Sequence, residues 1–387
     1  MACPIANLAF LALAVLLIPG AAHAQNCPTR GSWPTQAWPD NTAETTAAKA
    51  AQIQALEDYA FSRIGKDAER KGIRTDAVVV IHRGAIVYEK YFGSHGPTKR
   101  HIGWSVTKSV TSALTGMAVH RGAVSLEDSI CDHLEVGTPE SCQVKLKHLL
   151  QFSSGFDWTE LYEDKSNQAS SVLAMLYGEG RRDMARFVAE HRLRDAPGTT
   201  YMYSTGESML LLSAVQESVQ KTLQKGDVFP WEWLFTPIGM TSAVLERDAK
   251  GHFKGGSHTF ATPRDFARFG FLYLNDGCWE GQRLLPEGWV AASTRVSEPF
   301  KLRALAAEPG DAQGRMWWLN QAVPEQGFND LPWPDVPSDA YAARGHWGQS
   351  VTVIPSLDTV VVRVADDREA GAFDLNQFLS LALALVR

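Results

Sequence analysis

The stretch Gly103-Trp-Ser-Val-Thr-Lys-Ser-Val-Thr-Ser-Ala-Leu-Thr-Gly-Met-Ala-Val-His-Arg-Gly122 decides the architecture of this chain. Its apolar residues recur at helical spacing, Arg121 falls in the last turn and Gly122 follows as a C-terminal cap, which predicts one buried helix. Ser105 opens the helix and Lys108 lies one turn later on the same face. Because burial lowers the pKa of a lysine, such an amine can accept the proton of a serine hydroxyl. The stretch therefore predicts a serine nucleophile at a helix N-terminus, where free N–H groups favour negative charge.

A second Ser-x-x-Lys sequence, Ser218-Val-Gln-Lys221, provides an internal comparison. Short matches of this kind are frequent by chance, so their position matters more than their spacing. Ser218 lies well inside a helical run that includes Met209, and it has no helix terminus beside it. We therefore expect the chemistry at Ser105 and a structural role for Ser218.

The N-terminal segment is typical of a secretory signal peptide. The apolar run from Leu8 to Pro19 is short for a membrane span, and Ala22-His-Ala24 after it predicts residues 1–24 to be removed by cleavage. Neither Lys nor Arg precedes the run, and Cys27 offers lipid attachment as an alternative, but Ala-Gln-Asn before it does not fit a lipidation box. We expect an exported protein, periplasmic or secreted, without a membrane span.

Composition excludes several classes of partner. The net charge is −6 and the basic residues form no cluster, which argues against nucleic acid or an anionic membrane as partner. The chain has no Gly-x-Ser-x-Gly, no His-x-x-x-His and no glycine-rich phosphate loop, so neither a metal nor a cofactor is expected. A small-molecule ester or amide is the expected partner, and the sequence leaves the oligomeric state open.

Four cysteines follow the predicted cleavage site, an even number that favours disulfides in an oxidising compartment. Cys131 and Cys142 enclose a short loop, and their pairing would leave Cys27 and Cys278 to join the N-terminal arm to the body. We favour this pattern, although the sequence alone does not separate the three possible connectivities.

The order of elements predicts one domain with two lobes. Residues 25–44 are expected to form an irregular arm, and a single domain over 45–387 would contain a sheet lobe (about 45–100 and 310–387) and a helical lobe (about 101–309). Predicted strands at both ends of the chain imply an antiparallel sheet beside the helices, with a cleft between them. The main predicted strands are 76–82, 85–92, 316–320, 349–355 and 359–364, and the predicted helices include 45–70, 146–152, 184–192 and 375–386.

Three motifs occur in order along the chain: Ser105-Val-Thr-Lys108, Tyr203-Ser-Thr205 and His346-Trp-Gly348. Together they resemble the serine β-lactamase and penicillin-binding-protein superfamily, most closely its class C branch. Other stretches resemble the 6-aminohexanoate-dimer hydrolases and related esterases, namely Leu149 to Gly155, Pro197 to Thr199, Arg264 to Gly270, Trp317-Trp318 and Gly345 to Gln349. The resemblance covers most of the mature chain. It implies an α+β fold of the β-lactamase/transpeptidase type, in which terminal helices flank an antiparallel sheet and a helical lobe is inserted.

The resemblance also implies residue roles. Ser105 would be the acylated nucleophile, Lys108 its base and Tyr203 the residue that carries the proton to the leaving group. The oxyanion hole would consist of the backbone N–H groups of Ser105 and Gln349, and such fixed donors supply much of the stabilisation in acyl transfer. The residues expected to bind substrate are Tyr162, Thr205, His346, Trp347 and Gly348.

Two positions depart from the class C pattern. Thr205 stands in place of an asparagine, and His346 replaces the lysine that attracts a substrate carboxylate. Because imidazole is largely neutral at pH 7, we expect short esters and uncharged or linear amides to be better substrates than β-lactams. The alternatives are a β-lactamase, a D-Ala-D-Ala peptidase, and a non-catalytic peptidoglycan- or peptide-binding protein. The segments 158–182 and 325–339 are expected to shape the pocket.

Overall fold

The computed structural model describes residues 27–135, 137–163 and 169–387. The predicted signal peptide lies outside these residues. The α-helices are α1 Thr42–Ala48, α2 Ala50–Ala60, α3 Val106–His120, α4 Leu146–Leu150, α5 Ser171–Tyr177, α6 Met184–Ala189, α7 Thr205–Leu223, α8 Pro263–Leu274, α9 Trp289–Ser293, α10 Glu298–Leu302 and α11 Leu375–Leu383. Short 3-10 segments and a π-helical turn at Pro230–Phe235 complete the helical part. Within the described ranges, no helix is both long and apolar enough to cross a membrane.

The strands form a large antiparallel sheet and two smaller pairings. They are β1 Thr75–His82, β2 Ala85–Tyr91, β3 His101–Ile102, β4 Val244–Leu245, β5 Thr259–Ala261, β6 Cys278–Trp279, β7 Gln282–Arg283, β8 Trp318–Leu319, β9 Tyr341–Gly345, β10 Gln349–Ile354 and β11 Thr359–Ala365. The large sheet has six strands in the order β2-β1-β11-β10-β9-β8 and joins the two ends of the chain. A smaller sheet has the order β3-β5-β4, and β6 pairs with β7.

The large sheet is buried on both faces. Along β1, Val79 and Ile81 belong to one core, whereas Val78 and Val80 belong to another. Alternate side chains of a strand point to opposite faces, so the valine-rich run from Ala77 to Ile81 fills both layers. The larger core contains apolar residues of α3, α7 and α8, and the smaller core contains those of α2 and α11. The expected α+β architecture is confirmed.

The start of α3 leaves the Ser105 side chain free for other contacts. Ser105 occupies the N-cap position, yet its side chain makes no capping hydrogen bond. Trp104 before it has a φ of 46°, a left-handed conformation that is uncommon for a large residue and reverses the chain ahead of the helix. The helix ends at His120 and Gly122 has a φ of 66°, as the sequence predicted.

Two predicted elements differ most from the observed bounds, and one strand was not predicted. The single helix predicted over 45–70 is two helices that meet at Lys49, and the second ends at Ala60 with Phe61 as its C-cap. The predicted continuation to residue 70 does not form, and Gly65 and Gly72 in that segment adopt a positive φ that is incompatible with a helix. The strand predicted over 316–320 is reduced to Trp318–Leu319. The strand β9 was not predicted, since its sequence Tyr-Ala-Ala-Arg-Gly carries little β propensity and pairing with β8 and β10 on both sides determines its conformation.

The N-terminal arm lies against the body of the protein. Cys27 is bonded to Cys278, and Arg30 forms a two-pronged ion pair with Asp358 at 2.6 and 2.9 Å. The second disulfide joins Cys131 to Cys142. Both pairings are those favoured from the sequence. The arm is irregular from residue 27 to α1, but α1 begins at Thr42, so the end of the predicted arm, residues 42–44, is helical.

The two disulfides are expected to differ in their effect on stability. The Cys27–Cys278 bond closes a loop of 251 residues and the Cys131–Cys142 bond one of 11 residues. In the chain-entropy model, replacing the long-range pair by serine lowers the free energy of unfolding by about 5 kcal/mol, and replacing the short-range pair lowers it by about 3 kcal/mol. Denaturant unfolding of the two double variants measures this difference. An equal or larger loss for Cys131→Ser/Cys142→Ser would contradict the entropic account.

Candidate active site

The Lys108 amine lies at the centre of a buried polar cluster. Its Nζ is 2.8 Å from each of three oxygens: Ser105 Oγ, Thr205 Oγ1 and the carbonyl oxygen of Gly256. Only 2% of Lys108 is exposed to solvent. The two ends of the Ser-x-x-Lys motif therefore meet because one helical turn separates them, and α7 and the loop before β5 supply the other two partners.

A glutamate that the sequence did not single out supports this cluster. Glu160 accepts hydrogen bonds from the hydroxyls of Thr205 and Tyr162 through Oε1. Its Oε2 accepts from the Thr205 backbone N–H at 3.0 Å and from Trp158 Nε1 at 2.6 Å. Glu160 is separated from its partner Thr205 by 45 residues, and no local motif marks the contact. Tyr162, which was predicted as a site residue and lies two positions after Glu160, was the one feature of the sequence that pointed to this segment.

Burial lowers the pKa of Lys108 to about 8, against an opposing influence from the negative charge of Glu160. Burial has the opposite effect on Tyr203 and, together with the charge of Glu160, raises the pKa of its phenol well above the ordinary value. Tyr203 packs on Phe152 and Trp318, and the Lys108 amine lies 4.8 Å from the centre of its ring. At neutral pH a fraction of Lys108 is thus neutral, while Tyr203 remains a proton donor.

His346 occupies the mouth of the site as a largely neutral imidazole. Burial lowers its pKa, although its Nε2 lies 2.7 Å from Glu163 Oε1 and that carboxylate acts in the opposite direction. The ring stacks on Tyr162 with a centroid separation of 4.9 Å. Trp347 Nε1 donates to the same Glu163 oxygen at 3.0 Å. His346 and Trp347 are therefore held to the segment that carries Tyr162 and Glu163.

The turn between β9 and β10 lies against the start of α3, where Gly345 approaches both Gln349 and Ser105. A Cβ atom on Gly345 would lie 2.2 Å from the Gly103 carbonyl oxygen and 3.1 Å from the Ser105 nitrogen, so only glycine permits this approach of strand to helix. Gln349 is held by its side-chain amide, which bonds both the N–H and the carbonyl oxygen of Ala365. The turn is further fixed by the buried Arg363, which donates to the Gly348 carbonyl oxygen at 3.0 Å.

Two cavities meet at Tyr162 and His346. The first has a volume of about 190 Å³ and contains Ser105, and its other lining residues are Tyr162, Tyr203, Trp318, Arg344, Gly345 and His346. The second, of about 200 Å³, is lined mostly by apolar and aromatic side chains, among them Trp104, Leu173, Leu176 and Trp347. The segment 158–182 thus contributes to both walls, whereas no residue of 325–339 lines either cavity.

The structure brings most of the predicted site residues together. Ser105, Tyr162, Tyr203 and His346 line one cavity, and Lys108 lies directly behind Ser105. Thr205 is buried against Lys108, and Gly348 packs against Arg363, so neither lines a cavity wall. Besides Glu160, the sequence-based prediction missed Trp318 and Arg344.

The second Ser-x-x-Lys sequence forms no such pair. Ser218 Oγ donates to the Ala123 carbonyl oxygen at 2.6 Å, and Lys221 Nζ donates to the His133 carbonyl oxygen at 2.9 Å. Each side chain therefore has a separate backbone partner, as expected for residues with a structural role.

An antiparallel sheet covered by helices on both faces, with a serine at the start of a buried helix and a lysine one turn later, defines the β-lactamase/transpeptidase-like class of proteins. The sequence profile of the β-lactamase family matches residues 53–385. The chain belongs to the β-lactamase family, and it is a hydrolase of that family.

Several known proteins are similar to this chain in sequence or in structure. The 6-aminohexanoate-dimer hydrolase of Paenarthrobacter ureafaciens is 22% identical over 304 residues, which cover 75% of this chain and 72% of that protein. EstCE1, a hydrolase with promiscuous acyltransferase activity, superposes with a TM-score of 0.60 at 14% identity over 88% of this chain and all of its own (100%). A class C β-lactamase in complex with cefoxitin gives a TM-score of 0.56 at 14% identity, covering 89% of this chain and 98% of that one. The structural likenesses establish the shared fold.

The pKa of Lys108 predicts the pH dependence of Ser105 reactivity. Only the neutral amine can accept the serine proton, and with a pKa of about 8 the neutral fraction increases as the pH rises through that value. We expect the rate of Ser105 modification by a fluorophosphonate to rise between pH 6 and 9 and then to level off, with roughly one tenth of the maximum at pH 7. Rates that are independent of pH over this range would contradict the assignment of Lys108 as the base.

Replacement of Glu160 by glutamine is expected to shift this profile. The negative charge of Glu160 raises the pKa of Lys108, so its removal moves the rising limb to lower pH. The maximal rate should also fall, on the order of tenfold, because the carboxylate that orients Thr205 is lost. The same labelling series on Glu160→Gln, with a thermal melt to verify folding, measures both effects. A rising limb displaced to higher pH would disprove the electrostatic role.

Proposed function

We propose that this protein is an exported serine hydrolase that cleaves an ester or amide through an acyl-enzyme on Ser105. The observation that carries the proposal is the 2.8 Å separation between the buried Lys108 Nζ and Ser105 Oγ. This is the distance at which a nucleophile and its base share a hydrogen bond. A role in binding alone would require no such pair.

The hydrogen-bond partners of Lys108 determine the direction of proton transfer. The Gly256 carbonyl oxygen can only accept a hydrogen bond, so the amine donates to it. The Thr205 hydroxyl donates its proton to the Glu160 carboxylate, so its oxygen also accepts from Lys108. A neutral amine has two N–H groups and one lone pair. With both N–H groups engaged, the lone pair is left for the Ser105 hydroxyl, which is the arrangement that general-base catalysis requires.

The remaining steps follow from the placement of Tyr203 and the turn after β9. Ser105 Oγ attacks the substrate carbonyl as its proton passes to Lys108, and the N–H groups of Ser105 and Gln349 stabilise the oxyanion. Tyr203, protonated at neutral pH, donates to the departing oxygen or nitrogen and is reprotonated from Lys108. Water then cleaves the acyl-enzyme by the reverse proton path. The cavity of about 190 Å³ suits a small acyl group or a short linear amide.

The relatives and the disulfides support two finer points of the proposal. Similarity to a 6-aminohexanoate-dimer hydrolase and to an esterase favours linear amides or esters as substrates. Two disulfides favour an oxidising compartment outside the cytoplasm, which agrees with the N-terminal sequence.

A fluorophosphonate probe followed by intact-mass measurement tests the proposal. We expect one adduct per chain on the wild type and none on Ser105→Ala. Lys108→Ala and Tyr203→Phe should each slow labelling and ester hydrolysis by about 100- to 10,000-fold, because the residues act as a unit.

Ser218→Ala is the matched control, since it alters the serine of the second Ser-x-x-Lys sequence and leaves the Ser105 site intact. It should label at the wild-type rate. No labelling of the folded wild type, or equal labelling of Ser105→Ala, would refute an enzyme with Ser105 as nucleophile and would favour a binding protein of the same fold.

A further inference from the structure

Arg344 is a cation in the wall of the Ser105 cavity that no described carboxylate neutralises. It lies in β9, opposite Ser350 of β10 and two residues before His346. Its guanidinium makes no ion pair or hydrogen bond with the residues that the structure describes. The guanidinium carbon lies 4.7 Å from the centre of the Trp318 ring, which holds the side chain by a cation–π contact.

The surroundings of Arg344 leave its charge incompletely compensated. Burial lowers its pKa, which reflects the cost of removing a cation from water, and the charge of Asp311 acts in the opposite direction. Asp311 does not approach to ion-pair distance, and one of its oxygens accepts the Glu308 backbone N–H at 2.9 Å. A partly buried guanidinium with free N–H groups gains most from a carboxylate, whose two oxygens match its geometry.

The position of Arg344 also indicates which part of a substrate it would contact. The Arg344 guanidinium contacts the Trp318 ring, and the centre of that ring lies 5.6 Å from the centre of the Tyr203 ring. Tyr203 is the residue proposed to protonate the leaving group. Arg344, Trp318 and Tyr203 therefore form one side of the cavity, next to the departing alcohol or amine.

We propose that Arg344 is a specificity-determining residue that binds a carboxylate on the leaving portion of the substrate. The natural substrates are then esters or linear amides of hydroxy acids or amino acids with a free carboxylate. This inference rests on the proposed serine-hydrolase function. The sequence-based expectation of uncharged substrates relied on position 346, whereas the structure places an arginine in the cavity wall two residues earlier, near the end of β9.

A pair of substrates that differ in one charge tests the inference. The first is 3-(butyryloxy)benzoate, whose leaving group carries a carboxylate, and the second is 3-(butyryloxy)benzamide, a neutral compound of nearly the same shape. For the wild type we expect kcat/KM to favour the carboxylate. In Arg344→Gln the ratio of the two kcat/KM values should fall by about tenfold to a hundredfold, mainly through the KM of the carboxylate ester, and this ratio cancels any effect of the substitution that is common to both esters.

Two further variants make the test specific. Arg344→Lys should retain part of the preference, because a lysine keeps the charge but not the two-pronged geometry. Arg303→Gln, which removes an exposed arginine paired with Asp195 outside the cavity, should keep the full preference. An equal loss on both esters in Arg344→Gln would show that Arg344 acts on Tyr203 and not on the substrate, which would overturn the inference.

A measurement on the wild type does not depend on the folding of any variant. The two leaving groups, 3-hydroxybenzoate and 3-hydroxybenzamide, are compared as inhibitors of Ser105 labelling. Stronger protection by 3-hydroxybenzoate is expected, and equal protection would overturn the inference. Failure of the proposed function gives a different result, since the wild type would then neither label at Ser105 nor hydrolyse the neutral ester.

Discussion

The buried amine of Lys108 is the constraint on which the site depends. An amine removed from water requires hydrogen-bond partners, because an unsatisfied polar group in the interior costs several kcal/mol. Here the partners come from three separate parts of the chain: Ser105 at the start of α3, Thr205 at the start of α7, and Gly256 before β5. The same contacts that fix these segments also direct the amine toward the serine. The proposed catalytic geometry and the local stability thus depend on one set of hydrogen bonds.

The turn between β9 and β10 is held by a buried ion pair. Arg363 is fully buried, pairs with Asp367 at 2.7 and 3.0 Å, and also bonds the Gly348 carbonyl oxygen. A buried ion pair contributes little net stability to the fold. It restricts the positions of its two side chains, because separating them would leave an uncompensated charge in the interior. Its effect here is to fix the turn that leads into Gln349. The proposed oxyanion donors therefore rest on a rigid helix end and on a turn anchored by a buried pair.

The sequence predicted those features that local physics determines. The strands predicted at 76–82 and 85–92 correspond to β1 and β2, which pair as a hairpin across a tight turn where Gly84 has a φ of 80°. Ser105 and Lys108 were identified because one helical turn relates them. By contrast, the contact of Glu160 with Thr205 and the entry of Arg344 into the cavity depend on how distant segments pack. No short-range periodicity records such contacts, which is also why the strand containing Arg344 was not predicted.

The Cys27–Cys278 bond has a consequence for the order of events during biosynthesis. Cys27 leaves the ribosome early, but its partner is made 251 residues later, so the thiol must stay unpaired while most of the chain is still being synthesised. Cys131 and Cys142 become available almost together and can pair within one small loop. If Cys27 reacts prematurely with either of them, the arm is bonded to the wrong side of the helical lobe. The native Cys27–Cys278 bond therefore cannot form before Cys278 has been made, and any earlier pairing of Cys27 must first be reversed by thiol–disulfide exchange.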